Sequence, residues 1–310
     1  MPLIQSFAPL ALVLCFALVS LAQAPAGAKS KIPPPENISL QTKDGVTLRA
    51  IYYPSPNEKK AVPVIMLHGW KGKKEDVSGL AGVLQKQEGY AVIVPDLRTH
   101  GASQWTYQLN DRVSKTIDTD DIKRQQMQLF MNQDMEAVKR FLMEENNKGK
   151  LNIDLLTIVA ADDFSSILAA NWTAKDWSWP VLAGLKQGQD VKALVLVSPE
   201  TTFKGFSAVQ ALNHFSLQTK VSIMLVAGEE SRSFSDVKQI ERQLARGRLN
   251  AAAESRDLFL AAKPSDAKGT ALLMNPSVNV LRDIKFLIDS RVIARADEFP
   301  WTDRSSPLSK

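Results

Sequence analysis

The sequence predicts an α/β protein built on a doubly wound, mostly parallel sheet with helices on both faces. Runs that are apolar throughout, such as Val62-Pro63-Val64-Ile65-Met66-Leu67 and Ala193-Leu194-Val195-Leu196-Val197, are how strands read when both of their faces are covered. Between such runs lie longer segments with apolar residues every three or four positions, the repeat of an amphipathic helix. The chain has 310 residues, 45% hydrophobic and 23% charged. That is enough apolar material for one large domain and too little bias for a disordered chain.

Taken in order, the first 28 residues carry no charged side chain, and Phe7 to Ala22 is an apolar stretch interrupted only by Pro9 and Ser20. Residues 1–22 read as a signal peptide cut after Ser20-Leu21-Ala22, so a secreted or periplasmic destination is expected. Kept uncleaved, the stretch would act as an anchor, but its 16 residues fall short of the roughly 20 that span a bilayer. No stable membrane anchor is therefore expected in the mature chain. Residues 23–36 form a linker in which Lys29 to Glu36 (KSKIPPPE) is extended, because three successive prolines suit neither helix nor sheet. The folded domain is expected over 37–295, with a polar tail over 296–310.

Inside the domain, Ile38 to Gln41 and Val46 to Tyr53 flank Lys43-Asp44-Gly45 and read as a hairpin. Alternation follows: strand Val62 to Leu67, helix Asp76 to Gln87, strand Tyr90 to Val94, helix Asp121 to Glu144, strand Leu151 to Val159 and helix Ser165 to Trp172. Strands are then expected at Ala193 to Val197, Val221 to Ala227 and Leu258 to Ala261, with helices at Phe234 to Arg246 and Val278 to Ile288. The helix from Asp121 shows the pattern best, since Met127, Phe130, Met131, Met135, Val138, Phe141 and Leu142 make one stripe. Pro199 to Lys220 has room for a single helix, so no sizeable cap domain is expected and any cleft is open.

Composition excludes several classes of function. Thirty-eight Lys and Arg against 33 Asp and Glu leave +5, spread along the chain, which argues against a nucleic-acid partner. A single cysteine, Cys15 in the signal segment, and three histidines, His68, His100 and His214, leave no disulfide framework and no Cys/His zinc site. No cofactor is expected.

The loops at the carboxyl ends of the strands, where such a sheet holds its ligand, carry recognisable words. His68-Gly69-Trp70 follows the third strand. Pro95-Asp96-Leu97-Arg98-Thr99-His100-Gly101-Ala102-Ser103 follows the fourth. Ser198-Pro199, Gly228 and Gly269-Thr270 mark later strand ends. In this order, over about residues 38 to 290, the chain resembles the α/β-hydrolase superfamily of esterases, lipases and peptidases. The resemblance implies a Gly-x-Ser-x-Gly elbow, a later acid and a histidine before the last helix.

None of the three is present. The elbow word reads Ala160-Ala161-Asp162-Asp163-Phe164, which puts Asp162 at the nucleophile and Phe164 at a glycine that keeps the turn tight. Ser231 stands where the acid is usual, with Glu230 one residue early, and Lys268 stands at the base. Trp70 and Asp163 fall at the positions whose amides would receive an oxyanion. Two adjacent carboxylates oppose that role, since like charges at about 4 Å repel by roughly 4 kcal/mol at an effective dielectric of 20. Asp162 is itself the nucleophile type of dehalogenase and epoxide-hydrolase relatives, but a protonated lysine cannot activate water as their histidine does. Opposite charges at 162 and 268 are expected to form an ion pair instead.

Other candidates read as structural. Ser165 and Ser166 belong to the first turn of a helix. His68 and His100 satisfy loop backbone, and His214 lies on a short amphipathic helix. Lys71, Lys73 and Lys74 form a solvated loop, and Trp172, Trp177 and Trp179 cover a helix end. Asn37-Ile38-Ser39 and Asn171-Trp172-Thr173 are glycosylation words. The expectation is an exported α/β-hydrolase-fold protein that has lost catalysis and binds an unknown ligand or protein partner. The competing expectation is an active hydrolase of esters or peptides using a non-standard site.

Overall fold

The structure, a computed structural model, describes residues 31–110, 113–180, 186–248 and 257–304. The expected signal peptide and the first part of the linker lie outside the described residues. Among these, eight strands form the central sheet in the order β1-β2-β4-β3-β7-β8-β11-β12. β1 (Glu36–Gln41) and β2 (Thr47–Tyr53) are the hairpin, and β2 runs antiparallel to β4 (Ala91–Pro95). β3 (Pro63–Leu67), β4, β7 (Leu156–Ala161), β8 (Val191–Val197), β11 (Ser222–Gly228) and β12 (Leu258–Lys263) are parallel.

Strands apolar throughout are explained by a core on each face. Ile65, Leu67, Ile158 and Leu196 point to one side, where they meet α3 (Met135–Asn147), α4 (Asp163–Trp177) and α7 (Phe234–Arg246). Val64, Met66, Val159 and Val197 point to the other, toward α1 (Glu75–Val83), α8 (Gly269–Leu273) and α9 (Val280–Arg291). Between β8 and β11 lie only a two-residue ribbon, β9 (Thr202–Phe203) with β10 (Phe206–Ser207), and two short helices, α5 (Val209–Leu212) and α6 (Phe215–Thr219). Among the described residues no cap domain lies over the mouth of the sheet.

Three expectations need correction. The helix expected from Asp121 starts at Met127, as α2 (Met127–Leu129), and passes through a π turn, Phe130–Asp134, into α3. The preceding residues are held in separate 3-10 turns: Asp118 accepts from the Asp120 amide, and the Gln126 side chain accepts from the Lys123 amide. The connection after β4 holds an unforeseen ribbon, β5 (Trp105–Asn110) and β6 (Val113–Ile117), antiparallel with a register shift.

The third correction concerns the chain's end. Residues 296–304, expected as tail, are docked on the body: Trp301 Nε1 donates to the Asn146 carbonyl at 3.1 Å, and Arg304 Nη1 bonds Asp154 at 2.9 Å and Asp190 at 2.8 Å. These buried carboxylates retract the chain because an unpaired buried charge is unfavourable. Lys186 also pairs with Asp154, and Lys139 pairs with Asp190 at 2.8 Å, so removing the guanidinium leaves neither carboxylate alone. Arg304→Ala is therefore expected to destabilise by about 2 kcal/mol, the scale of lost charge-assisted hydrogen bonds rather than of a stranded ion, as read from urea denaturation midpoints.

Candidate functional site

The loop words are held by their own side chains. His68 Nδ1 donates to the Gly69 carbonyl at 2.7 Å, and its Nε2 accepts from the Leu97 amide at 3.2 Å. His100 Nδ1 donates to the Arg98 carbonyl at 2.8 Å. Burial lowers the His68 pKa and, with the neighbouring His68, takes that of His100 down to about 4. Both rings are neutral at ordinary pH and face backbone, not substrate. Asp96 ties its loop to α1, accepting from the Lys74 amide at 2.6 Å, Lys74 Nζ at 2.8 Å and the Ala102 amide at 2.8 Å. Lys74 is thus buried rather than solvated. Lys71 does stay on the surface, paired with Asp120.

Arg98 is fully buried and forks onto two carboxylates. Its Nε and amide reach Asp134 at 2.8 and 2.9 Å, and Nη1 reaches Asp44 at 2.8 Å. The π turn before α3 carries Asp134 inward, and the β1–β2 turn supplies Asp44. Both loops at the mouth of the sheet are therefore braced from beneath.

At the elbow, Asp162 joins β7 to α4 with φ 142° and ψ −172°, a region open mainly to glycine that an L residue occupies at a cost of about 1 to 3 kcal/mol. Phe164 does not unwind the turn. Its ring is buried beneath Trp70 at 4.7 Å between centroids and beside Phe130 at 5.0 Å. The Asp162 side chain folds back: Oδ2 accepts the Trp70 amide at 3.0 Å, and Oδ1 faces the Ser165 amide at 3.5 Å. Gly69 and Gly269 press on it, since a β-carbon at either would come within 2.5 Å of Oδ2 or 2.9 Å of Cβ respectively. The amide at the oxyanion-receiving loop position is already bonded to a side chain of the chain itself.

Burial pushes the Asp162 carboxyl up to about 8, and the Asp163 charge beside it adds to the effect. At neutral pH Asp162 therefore holds its proton. The repulsion anticipated between two charged carboxylates is relieved by protonation, as for any two acids forced together.

The structure does not join the remaining positions into a triad. Ser231 Oγ donates to the Gly228 carbonyl at 2.7 Å and contacts Ser233, so it braces its own turn. Lys268 lines the cleft with its side chain 62% exposed, and its ammonium sits 3.9 Å from Glu200. The expected Asp162–Lys268 ion pair is absent: the Lys268 ammonium pairs with Glu200, while the Asp162 carboxyl is turned into the Trp70 and Ser165 amides. The Ser165 and Ser166 hydroxyls are buried and, among the described residues, have no partner, out of reach of a substrate. His214 caps α6, accepting weakly from the Ser216 amide.

Sequence reasoning missed Glu200 and Phe203. Glu200 follows Ser198-Pro199 at the carboxyl end of β8, which was the available signal. Partial burial and the Asp163 charge raise its pKa, against the pull of Lys268. Together with Trp70, Asp162, Asp163 and Lys268, Phe203 lines an open cleft of about 480 Å³. Of the tryptophans, Trp172 is in the core and bonds Glu136 at 3.0 Å, and Trp179 is exposed. Asn171 donates to the Ile167 and Ser207 carbonyls at 2.9 and 3.0 Å, between neighbours that are buried, so that glycosylation word is closed in the folded chain. Among the described residues no group of His, Cys, Asp and Glu is arranged to hold a metal ion, and no helix is long and apolar enough to cross a membrane.

Comparison with solved structures finds the same fold in several proteins. An esterase from Pyrococcus furiosus superposes with a TM-score of 0.58 at 15% identity, covering 84% of this chain and 93% of that one. The chain has the α/β-hydrolase fold. A fungal esterase from Rhizomucor miehei shares the α/β-hydrolase fold with it at a TM-score of 0.54 and 12% identity, over 86% of this chain and 85% of the other. The thioesterase domain of the curacin biosynthetic pathway does so at 0.51 and 12%, over 83% and 100%. No family model and no curated protein sequence matches the chain. The strand order β1-β2-β4-β3-β7-β8-β11-β12, with only β2 reversed against its neighbours, is the α/β-hydrolase frame on which the cleft sits.

Proposed function

We propose that this chain is an exported α/β-hydrolase-fold protein that binds a ligand in its open cleft without hydrolysing it. The observation that carries the reading is the Trp70 amide bonded to Asp162 Oδ2 at 3.0 Å. An acyl-transfer site needs its oxyanion donors free and aimed at the place where charge develops. Here the donor is engaged by the residue at the nucleophile position. The three histidines of the chain are all placed elsewhere: His68 and His100 are neutral and buried, and His214 caps a helix. Export rests on the uncharged apolar segment at the N-terminus.

The competing reading, an active hydrolase, has one observation in its favour. The strained backbone at Asp162 is kept, and such strain gathers at functional sites. A panel of aryl esters of increasing chain length, with a fluorophosphonate probe, tests the two. The expected result is no turnover above the Asp162→Ala background and no labelled serine. Turnover that Asp162→Ala abolishes would establish the hydrolase.

A further inference from the structure

At the far end of the sheet from the cleft, the second residue of β8 is a lysine in an otherwise apolar strand. Lys192 is only 6% exposed, between Val191 and Ala193, both fully buried. A lysine so placed normally finds a carboxylate. Among the described residues this one has instead the Gln189 carbonyl as hydrogen-bond partner and two aromatic faces, Phe299 at 4.4 Å and Trp177 at 5.2 Å from ring centroid to Nζ.

A cavity of about 360 Å³ opens beside it, walled by Trp177, Phe215 and Phe299. Lys220, Arg291 and Arg295 also line it, against the single carboxylate of Glu298. Arg295 is forked onto Glu298 at 3.1 Å, and Arg291 pairs with Asp257 at 3.1 Å, so the rim is fixed in place and keeps an excess of positive charge. An enclosed amine, an aromatic wall and a cationic rim together suit a flat carbonyl compound that carries an anionic group.

We propose that Lys192 is a covalent ligand site, its amine condensing with a small anionic aldehyde whose charged group rests on the Lys220 and Arg295 rim. The amine nitrogen attacks the carbonyl carbon to give a carbinolamine. Loss of one water then leaves the imine, with no change of oxidation state. The microenvironment supports the nucleophile. Burial, with the Lys186 charge, takes the Lys192 pKa down to about 8 against the attraction of Asp190, Asp154 and Asp176. About a quarter of the amine is then unprotonated at pH 7.5, against about one part in a thousand for an ordinary lysine.

Pyridoxal 5′-phosphate is the probe. The full chain is incubated with it, reduced with borohydride, digested and quantified lysine by lysine by mass spectrometry. Lys192 is expected to carry at least about tenfold more label than exposed lysines outside the cavity such as Lys60 and Lys268, a fraction of the advantage that its free-amine population implies. Pyridoxal without the phosphate should label it several-fold less, and Lys192→Arg should remove the imine absorbance of the unreduced complex. Labelling of Lys192 no greater than that of exposed lysines, or equal labelling with and without the phosphate, overturns the proposal. Because the comparison is made within the unmodified protein, it does not depend on the variant folding.

Discussion

Replacing Asp162 by asparagine is expected to stabilise the protein at alkaline pH, by up to about 5 kcal/mol at pH 9. The carboxyl titrates near 8 in the folded chain and near 4 when unfolded. Between those values the folded state holds a proton that the unfolded state has released, so stability falls as pH rises. The contribution is fully present below about pH 4 and is lost as pH passes through 8. Asparagine is neutral throughout. It can accept the Trp70 amide as Asp162 Oδ2 does at 3.0 Å and turn its own amide toward Asp163. Urea titrations of both proteins at pH 5, 7 and 9 should show the gap widening with pH. A gap that does not change with pH would mean that Asp162 is ionised and ordinary in the fold.

Arg98→Met is expected to destabilise by about 3 to 5 kcal/mol, because it strands a carboxylate. Asp134 is fully buried and receives both the guanidinium and the backbone amide of Arg98. Asp44 loses its partner from the β1–β2 turn in the same step. Lysine should not rescue the site. Its point charge cannot span two carboxylates as the planar fork does. Adding Asp134→Asn to Arg98→Met should recover part of the loss, and equilibrium unfolding of the two variants measures it. A loss under about 1 kcal/mol for Arg98→Met would show that the buried charges are not coupled to folding.

The sheet was legible in the sequence because burial on two faces leaves short runs that are apolar throughout and rich in β-branched residues, such as Ala193 to Val197. The turns at the carboxyl ends were legible for a different reason. Gly69 and Gly101 stand where backbone or side chains crowd, the latter at φ 51° against Asp96, and few residues can take such positions. The β5–β6 ribbon escaped notice because its alternation, Trp105-Thr106-Tyr107-Gln108, runs into no glycine or asparagine-glycine turn. The start of α2 was misplaced because the stripe begins only at Met127, and the polar residues before it are held in tighter turns by side-chain hydrogen bonds.

At the candidate site, positions could be read but partners could not. Asp162 and Lys268 have the charges of a pair, yet a lysine side chain can point several ways. Its choice of Glu200 depends on a loop two strands away. The proton on Asp162 depends on how deeply the elbow is covered, a quantity that no local spacing contains.

The docking of Arg304 has a consequence for the order in which the protein can be made. Asp190 and Asp154 enter the buried body 114 and 150 residues before the guanidinium that meets them. A growing chain folds from its N-terminal side as it emerges, so these carboxylates wait through more than a third of synthesis with nearby lysines such as Lys139 and Lys186 as their counter-charges. The body can therefore form early, but its electrostatic closure waits for residue 304. A released chain ending just short of that point would hold a nearly complete fold with its last clasp undone.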